Sequence, residues 1–168
     1  PSYPTSCSVE LEYKIGTISS VYFEKGFSRG KLNEIVSDAE KKWEDAVGKS
    51  LFKKTDSASN EITFSSAPIT SNAEGYGSLN TSKSYPNGTI QNFDISIYSA
   101  LFTYAENSGN SYIGPATNTQ KLGEYLLKKN VMKQMGHALG VQSVKSSDVK
   151  AKESIMVGFS GWVMTSTD

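Results

Sequence analysis

The chain is 168 residues long, the size of one domain by a prior of about 150 residues each, and its 17 Lys and Arg balance 17 Asp and Glu. That balance excludes a nucleic-acid or anionic-membrane partner held by bulk charge. Hydrophobic residues at 37%, with two Trp, nine Tyr and seven Phe and a mean hydropathy of -0.39, fit a chain that buries a core rather than a disordered tail.

Apolar runs such as Tyr125-Leu126-Leu127 are only a few residues long, too short for a membrane span or a signal-peptide core. If the protein is exported, its signal is expected to have been removed already. In chain order, residues 9–15 alternate apolar and charged side chains and predict a half-buried strand that Gly16 closes. A loop through Phe23 and Phe27 leads to Ser28, the N-cap of a helix with apolar side chains at Leu32, Ile35, Val36, Ala39, Trp43, Ala46 and Val47. Gly48 supplies its left-handed C-cap, and Lys41, Lys42, Glu44 and Asp45 face solvent. Leu51 and Phe52 continue the core, and residues 61–64 form a second short strand.

Residues 65–87 are rich in Ser, Asn, Gly and Pro, which predicts loops around one brief strand made of Tyr76, Gly77, Ser78 and Leu79. A Tyr85-Pro86-Asn87-Gly88 turn launches a longer strand over residues 89–98. Residues 103–119 read as polar loop. A second helix spans about residues 118–139, with Leu122, Tyr125, Leu126, Met132, Met135 and Leu139 as its apolar stripe and Gly140 as its stop. This order predicts an α+β fold in one domain over residues 1–168. A mainly open β-sheet packs against two long helices, which meet near Trp43, Leu126 and Met156.

Two counts bear on chemistry. The only cysteine is Cys7 and the only histidine is His137. One thiol makes no internal disulfide, and a zinc site usually takes several His or Cys ligands. Lys133 lies four residues before His137, on the same helix face. Its ammonium is either an exposed or snorkelling group, or it projects beside His137 and needs a carboxylate, carbonyl or hydroxyl partner, because an unpaired buried charge is costly. For His137 the plain reading is a packed, hydrogen-bonded ring near a helix end.

The run Val131-Met132-Lys133-Gln134-Met135-Gly136-His137-Ala138-Leu139-Gly140-Val141-Gln142-Ser143 resembles the active-site segment of the metzincin metallopeptidases, especially the matrixin-like branch, whose pattern is HExxHxxGxxH. Glu153-Ser154-Ile155-Met156 resembles that family's Met-turn, and residues 13–16 and 39–52 resemble its first strand and first helix. The likeness covers about residues 9–157 and implies a metzincin-like fold with Met156 beneath the former metal. It places Lys133 at the first ligand position, Gln134 at the general base, His137 at the second ligand and Ser143 at the third. Of these four only His137 is intact. The retained residues, Gly136, Ala138, Leu139, Gly140, Ile155 and Met156, have roles that are structural.

The resulting expectation is a matrixin-like pseudopeptidase, secreted or at the cell surface, without catalytic residues, cofactor or zinc. Polypeptide is the expected partner in its cleft, along the edge formed by Tyr76, Gly77, Ser78 and Leu79. Neither nucleic acid nor a membrane span is expected. Two alternatives stand beside it. One is a metalloendopeptidase of the metzincin clan, active with zinc or inactivated by engineering, or a hydrolase in which His137, Lys133 and acidic loop residues do different chemistry. The other is a scaffold or assembly module.

Overall fold

A computed structural model describes residues 10–84, 90–108 and 119–141. The chain runs β1 (Leu11–Ile18), α1 (Ser20–Glu24), α2 (Arg29–Val47), β2 (Phe52–Lys54), β3 (Glu61–Ser65), β4 (Gly77–Ser84), β5 (Ile90–Tyr98), α3 (Ala100–Ser108) and α4 (Thr119–Ala138). The strands form one open five-stranded sheet in the order β2-β1-β3-β5-β4. Neighbours are parallel except β4, which lies at an edge, antiparallel to β5 with Gly77 opposite Ile97. The fold is α+β, as expected from sequence. Cys7, Ser143 and the Glu153-to-Met156 segment lie outside the described residues.

β1 is longer than the alternating pattern predicts, and Gly16 sits inside it instead of closing it. A Cβ at Gly16 would fall 2.9 Å from the Thr63 hydroxyl, where the β1–β3 register shifts between Ile15 and Ile18. A glycine in a strand thus marks an irregularity and a close approach, not an end.

The expected caps of α2 are present: the Ser28 hydroxyl accepts the Lys31 N–H, and Gly48 adopts φ 83°. Leu32, Ile35, Val36 and Ala39 are buried. The apolar stripe ends sooner than predicted, because Ala46 is exposed and Val47 is 45% exposed. Trp43, expected to be buried, is only partly so. Its indole N–H donates to the Met132 carbonyl of α4 at 2.8 Å and ties the two long helices together. Glu44 then receives the Leu51 and Phe52 N–H groups at 2.7 and 3.2 Å, which steers the chain from α2 into β2.

Two elements correct the reading of polar stretches as loop. α3 covers the first part of the presumed loop over residues 103–119, since Leu101, Phe102 and Ala105 bury one helical face. The pattern starts before Thr103, so a window opened there misses its apolar half. β4 extends to Ser84, although Asn80 and Thr81 are exposed. An edge strand tolerates polar residues because one of its sides meets water. Tyr76, assigned to that strand, lies in the turn before it.

One hydrophobic cluster joins Tyr13, Tyr22, Phe64, Ile97, Leu101 and Leu127 with both long helices. At its centre the Tyr22 ring meets Phe64 and Phe102 edge-on, with centroids 5.4 and 5.3 Å away. Its hydroxyl donates to the Ile97 carbonyl at 2.9 Å. α4 packs against α2, α3, β4 and β5. It is therefore not the striped helix that the apolar spacing predicts but one buried nearly all round.

Candidate functional site

The enclosure of α4 makes its polar residues informative. Lys129, Asn130, Lys133 and Gln134 are all buried, and such groups persist in a core only when something answers them. Asn130 does so locally: its amide N–H donates to the Leu126 carbonyl at 2.8 Å, and its oxygen accepts the Tyr76 N–H at 3.0 Å. Burial pushes the Tyr76 phenol above its ordinary range, with Tyr104 beside it adding to the effect.

The turn that leads into β4 is laid directly on this helix. Glu74 N–H donates to the Gly77 carbonyl at 2.8 Å, closing the turn. Gly77 sits so close to α4 that a Cβ there would lie 2.8 Å from Gln134 Cγ and 3.2 Å from its Nε2. The Glu74 carboxylate then spans two side chains one helical turn apart. Its Oε1 lies 2.8 Å from Lys133 Nζ, and its Oε2 lies 2.8 Å from His137 Nε2. The lysine side chain is 2% exposed and the carboxylate 35%, so the cation is built into the core and the anion arrives from the solvent side.

The end of α4 fixes the imidazole. Gly140, at φ 87°, turns the chain so that the Val141 N–H reaches the Gly136 carbonyl at 2.9 Å. The Val141 carbonyl then lies 2.9 Å from His137 Nδ1. Both partners of the ring are acceptors, and they are satisfied together only when both ring nitrogens carry hydrogen. In that form of the ring Glu74 faces two N–H donors, the geometry of charge-assisted hydrogen bonding.

Of the residues singled out in the sequence, the fold brings Lys133, Gln134 and His137 together on α4 and sets Gly77 against Gln134. Tyr76 is attached to Asn130, while the hydroxyl of buried Ser78 pairs with that of Tyr98 at 2.8 Å. Lys133 is buried and not exposed or snorkelling, and its partner is the carboxylate that a buried ammonium requires. Sequence reasoning missed Glu74 and Asn130. For Glu74 the one available signal was that requirement, which does not say which of 17 acidic residues meets it.

This donor set does not fit a zinc ion. A protonated Lys133 offers no lone pair, His137 Nε2 is turned to a carboxylate, and zinc takes several nitrogen, sulfur or oxygen ligands at once. Among the described residues no group of three His, Cys, Asp or Glu side chains converges as a metal would need. No family model, curated protein or solved structure matches the chain. No helix of the described residues is long and apolar enough to cross a membrane.

Proposed function

We propose that the chain is a catalytically inactive, matrixin-like pseudopeptidase that binds polypeptide along β4 without zinc, outside the cell or at its surface. The observation that carries this reading is the Glu74 carboxylate held between Lys133 and His137, 2.8 Å from each. An internal ion cluster stands at the two helix positions where the resembled family holds its metal. Without that metal, no zinc-bound water is made acidic enough to attack a peptide bond. Gln134, at the position of the general base, is an amide and does not take up its proton.

Support for the metzincin-like form of the fold comes from the sheet. Its antiparallel strand is one of the two edge strands, and that strand packs against the helix carrying Lys133, Gln134 and His137. An edge strand presents backbone donors and acceptors to which an extended peptide can add. Met156 as the Met-turn residue and Ser143 as the replaced third ligand belong to the same proposal.

His137, Lys133 and a loop carboxylate are also the trio that a hydrolase of different chemistry would use. In that reading the trio needs a nucleophile, and the hydroxyl of Ser78 in β4 is engaged with Tyr98.

The test is elemental analysis after dialysis against zinc, together with incubation of the protein with a diverse peptide library. The expected result is peptide retention without cleavage and without one zinc per chain. Tightly held zinc in a His137-dependent site, with cleavage abolished by chelators, would overturn the reading. Neither retention nor cleavage would put the scaffold reading ahead. The reversion Lys133→His, Gln134→Glu, Ser143→His is expected to gain zinc binding that the parent chain lacks.

A further inference from the structure

We infer that Lys133, Gln134 and His137 form a carboxylate-recognition site that the chain's own Glu74 fills, and that a bound polypeptide engages it with a carboxylate of its own. The inference rests on the reading of β4 as a peptide-binding edge and adds the chemical class that the edge selects.

Exposure is divided unequally in the cluster. The Lys133 side chain is 2% exposed and that of His137 19%, both on the enclosed helix, whereas Glu74 is 35% exposed. It follows an exposed stretch over residues 66–72. The two nitrogen groups are fixed parts of the fold, and the carboxylate is the member that solvent reaches. A third donor lies on the same turn of α4: Gln134 is 1% exposed, and its Nε2 has no hydrogen-bond partner among the described residues. A buried amide N–H left unanswered is costly unless a further ligand or water meets it.

The bite selects the ligand. The two oxygens of one carboxylate are split between two nitrogens, each at 2.8 Å. A planar two-oxygen anion reproduces that arrangement, and a cation is repelled by it. Position links the site to the edge strand, because the Glu74-to-Gly77 turn that delivers the carboxylate continues into β4. A peptide lying along β4 therefore reaches the donors once Glu74 swings out. The carboxylate comes from a peptide C-terminus or from an Asp or Glu side chain.

The test uses three labelled peptides of one extended sequence: a neutral C-terminal amide, the same peptide with a free C-terminus, and the amide with one internal Glu. Binding is measured by fluorescence anisotropy to the wild-type chain, to Glu74→Gln, and to Glu74→Gln combined with Lys133→Met. Removing the internal competitor is expected to tighten a carboxylate-bearing peptide at least tenfold while the neutral amide stays within twofold. Adding Lys133→Met is expected to erase the gain. Which acidic peptide gains identifies the source of the carboxylate.

If the neutral amide binds and no acidic peptide gains, this inference falls and the peptide-binding edge stands. If no peptide binds any variant but sodium acetate, unlike sodium chloride at equal ionic strength, raises the melting temperature of Glu74→Gln, the carboxylate site stands and the edge reading falls. If neither occurs, both fall. Should Glu74→Gln fail to fold, the His137 ring resonances of the wild-type chain are followed by NMR during acetate titration. A shift absent with chloride supports the site, and unchanged resonances overturn it.

Discussion

The two long helices, α2 and α4, are of nearly equal length, 19 and 20 residues, and they teach different things. α2 buries one face, through Leu32, Ile35, Val36 and Ala39, and offers the other to water. α4 is enclosed by α2, α3, β4 and β5 and carries Lys129, Asn130, Lys133 and Gln134 into the interior. A helix buried all round is normally apolar all round. Where it is not, polar residues are held by partners from other elements, and here the turn before β4 supplies them for two: Glu74 for Lys133 and the Tyr76 N–H for Asn130. One helix serves packing, and the other organises the site.

The difference is broken or sharpened most strongly at the ion cluster. Glu74→Ala leaves the Lys133 ammonium in the core without its carboxylate and is expected to cost about 3 kcal/mol, the lower end of the range for splitting a buried pair because Glu74 is a third exposed. Lys133→Met removes the buried charge and leaves a carboxylate that water can reach, so its cost is expected to be about 1 kcal/mol. Urea unfolding of both variants gives the comparison. A larger loss for Lys133→Met than for Glu74→Ala would mean that the carboxylate, not the lysine, is the replaceable member.

A smaller effect is expected where β4 touches α4. Gly77→Ala forces a methyl group to within 2.8 Å of Gln134 Cγ and is expected to cost about 1 to 3 kcal/mol as overpacking. Gln134→Ala in the same chain opens that space, so the pair should be less destabilised than the sum of the single changes, which thermal unfolding of all three variants reads. Strict additivity would separate the strand from the helix and remove the close approach from the account of the site. The matching control on α2, Val47→Ala, is expected to stay within about 0.5 kcal/mol because that turn is exposed.

Legibility in the sequence follows the same division. α2 was readable down to Ser28 and Gly48 because periodicity records which side of a helix meets water, and caps are local chemistry. The strand carrying Ile62 and Phe64 and the one carrying Phe93, Ile95 and Ile97 were readable for a similar reason, as apolar runs between turns. In α4 periodicity misleads, since Lys133 reads as an exposed or snorkelling side chain but is buried against Glu74, about 60 residues earlier in the chain, and Gln134 is buried against Gly77. The positions of Lys133, Gln134 and His137 on one helix were legible. Their closure by Glu74, and the attachment of Tyr76 to Asn130, depend on tertiary contacts that local pattern does not record.

The smallest expected effect lies at the solvent side, where α2 and α4 exchange charge. Lys31 of α2 reaches Glu124 of α4 at 2.9 Å, and Lys128 approaches the same carboxylate at 3.5 Å. The hydrogen bond from Lys31, with help from Lys128 against partial burial, holds the Glu124 carboxyl below its ordinary value of 4.5. A carboxyl lowered in the folded state contributes stability above its unfolded value and loses it as pH falls through the folded one. The loss is therefore expected below about pH 4.5. Its size is that of a largely solvated pair, about 0.2 to 1 kcal/mol, and it shrinks with added salt. Comparing wild type with Glu124→Gln by urea unfolding at pH 7 and pH 3 isolates it: the two chains should differ at pH 7 and converge at pH 3. A difference that persists at pH 3 would assign the contact to packing of the side-chain stem, and would make the outer seam between the helices as independent of charge as their core.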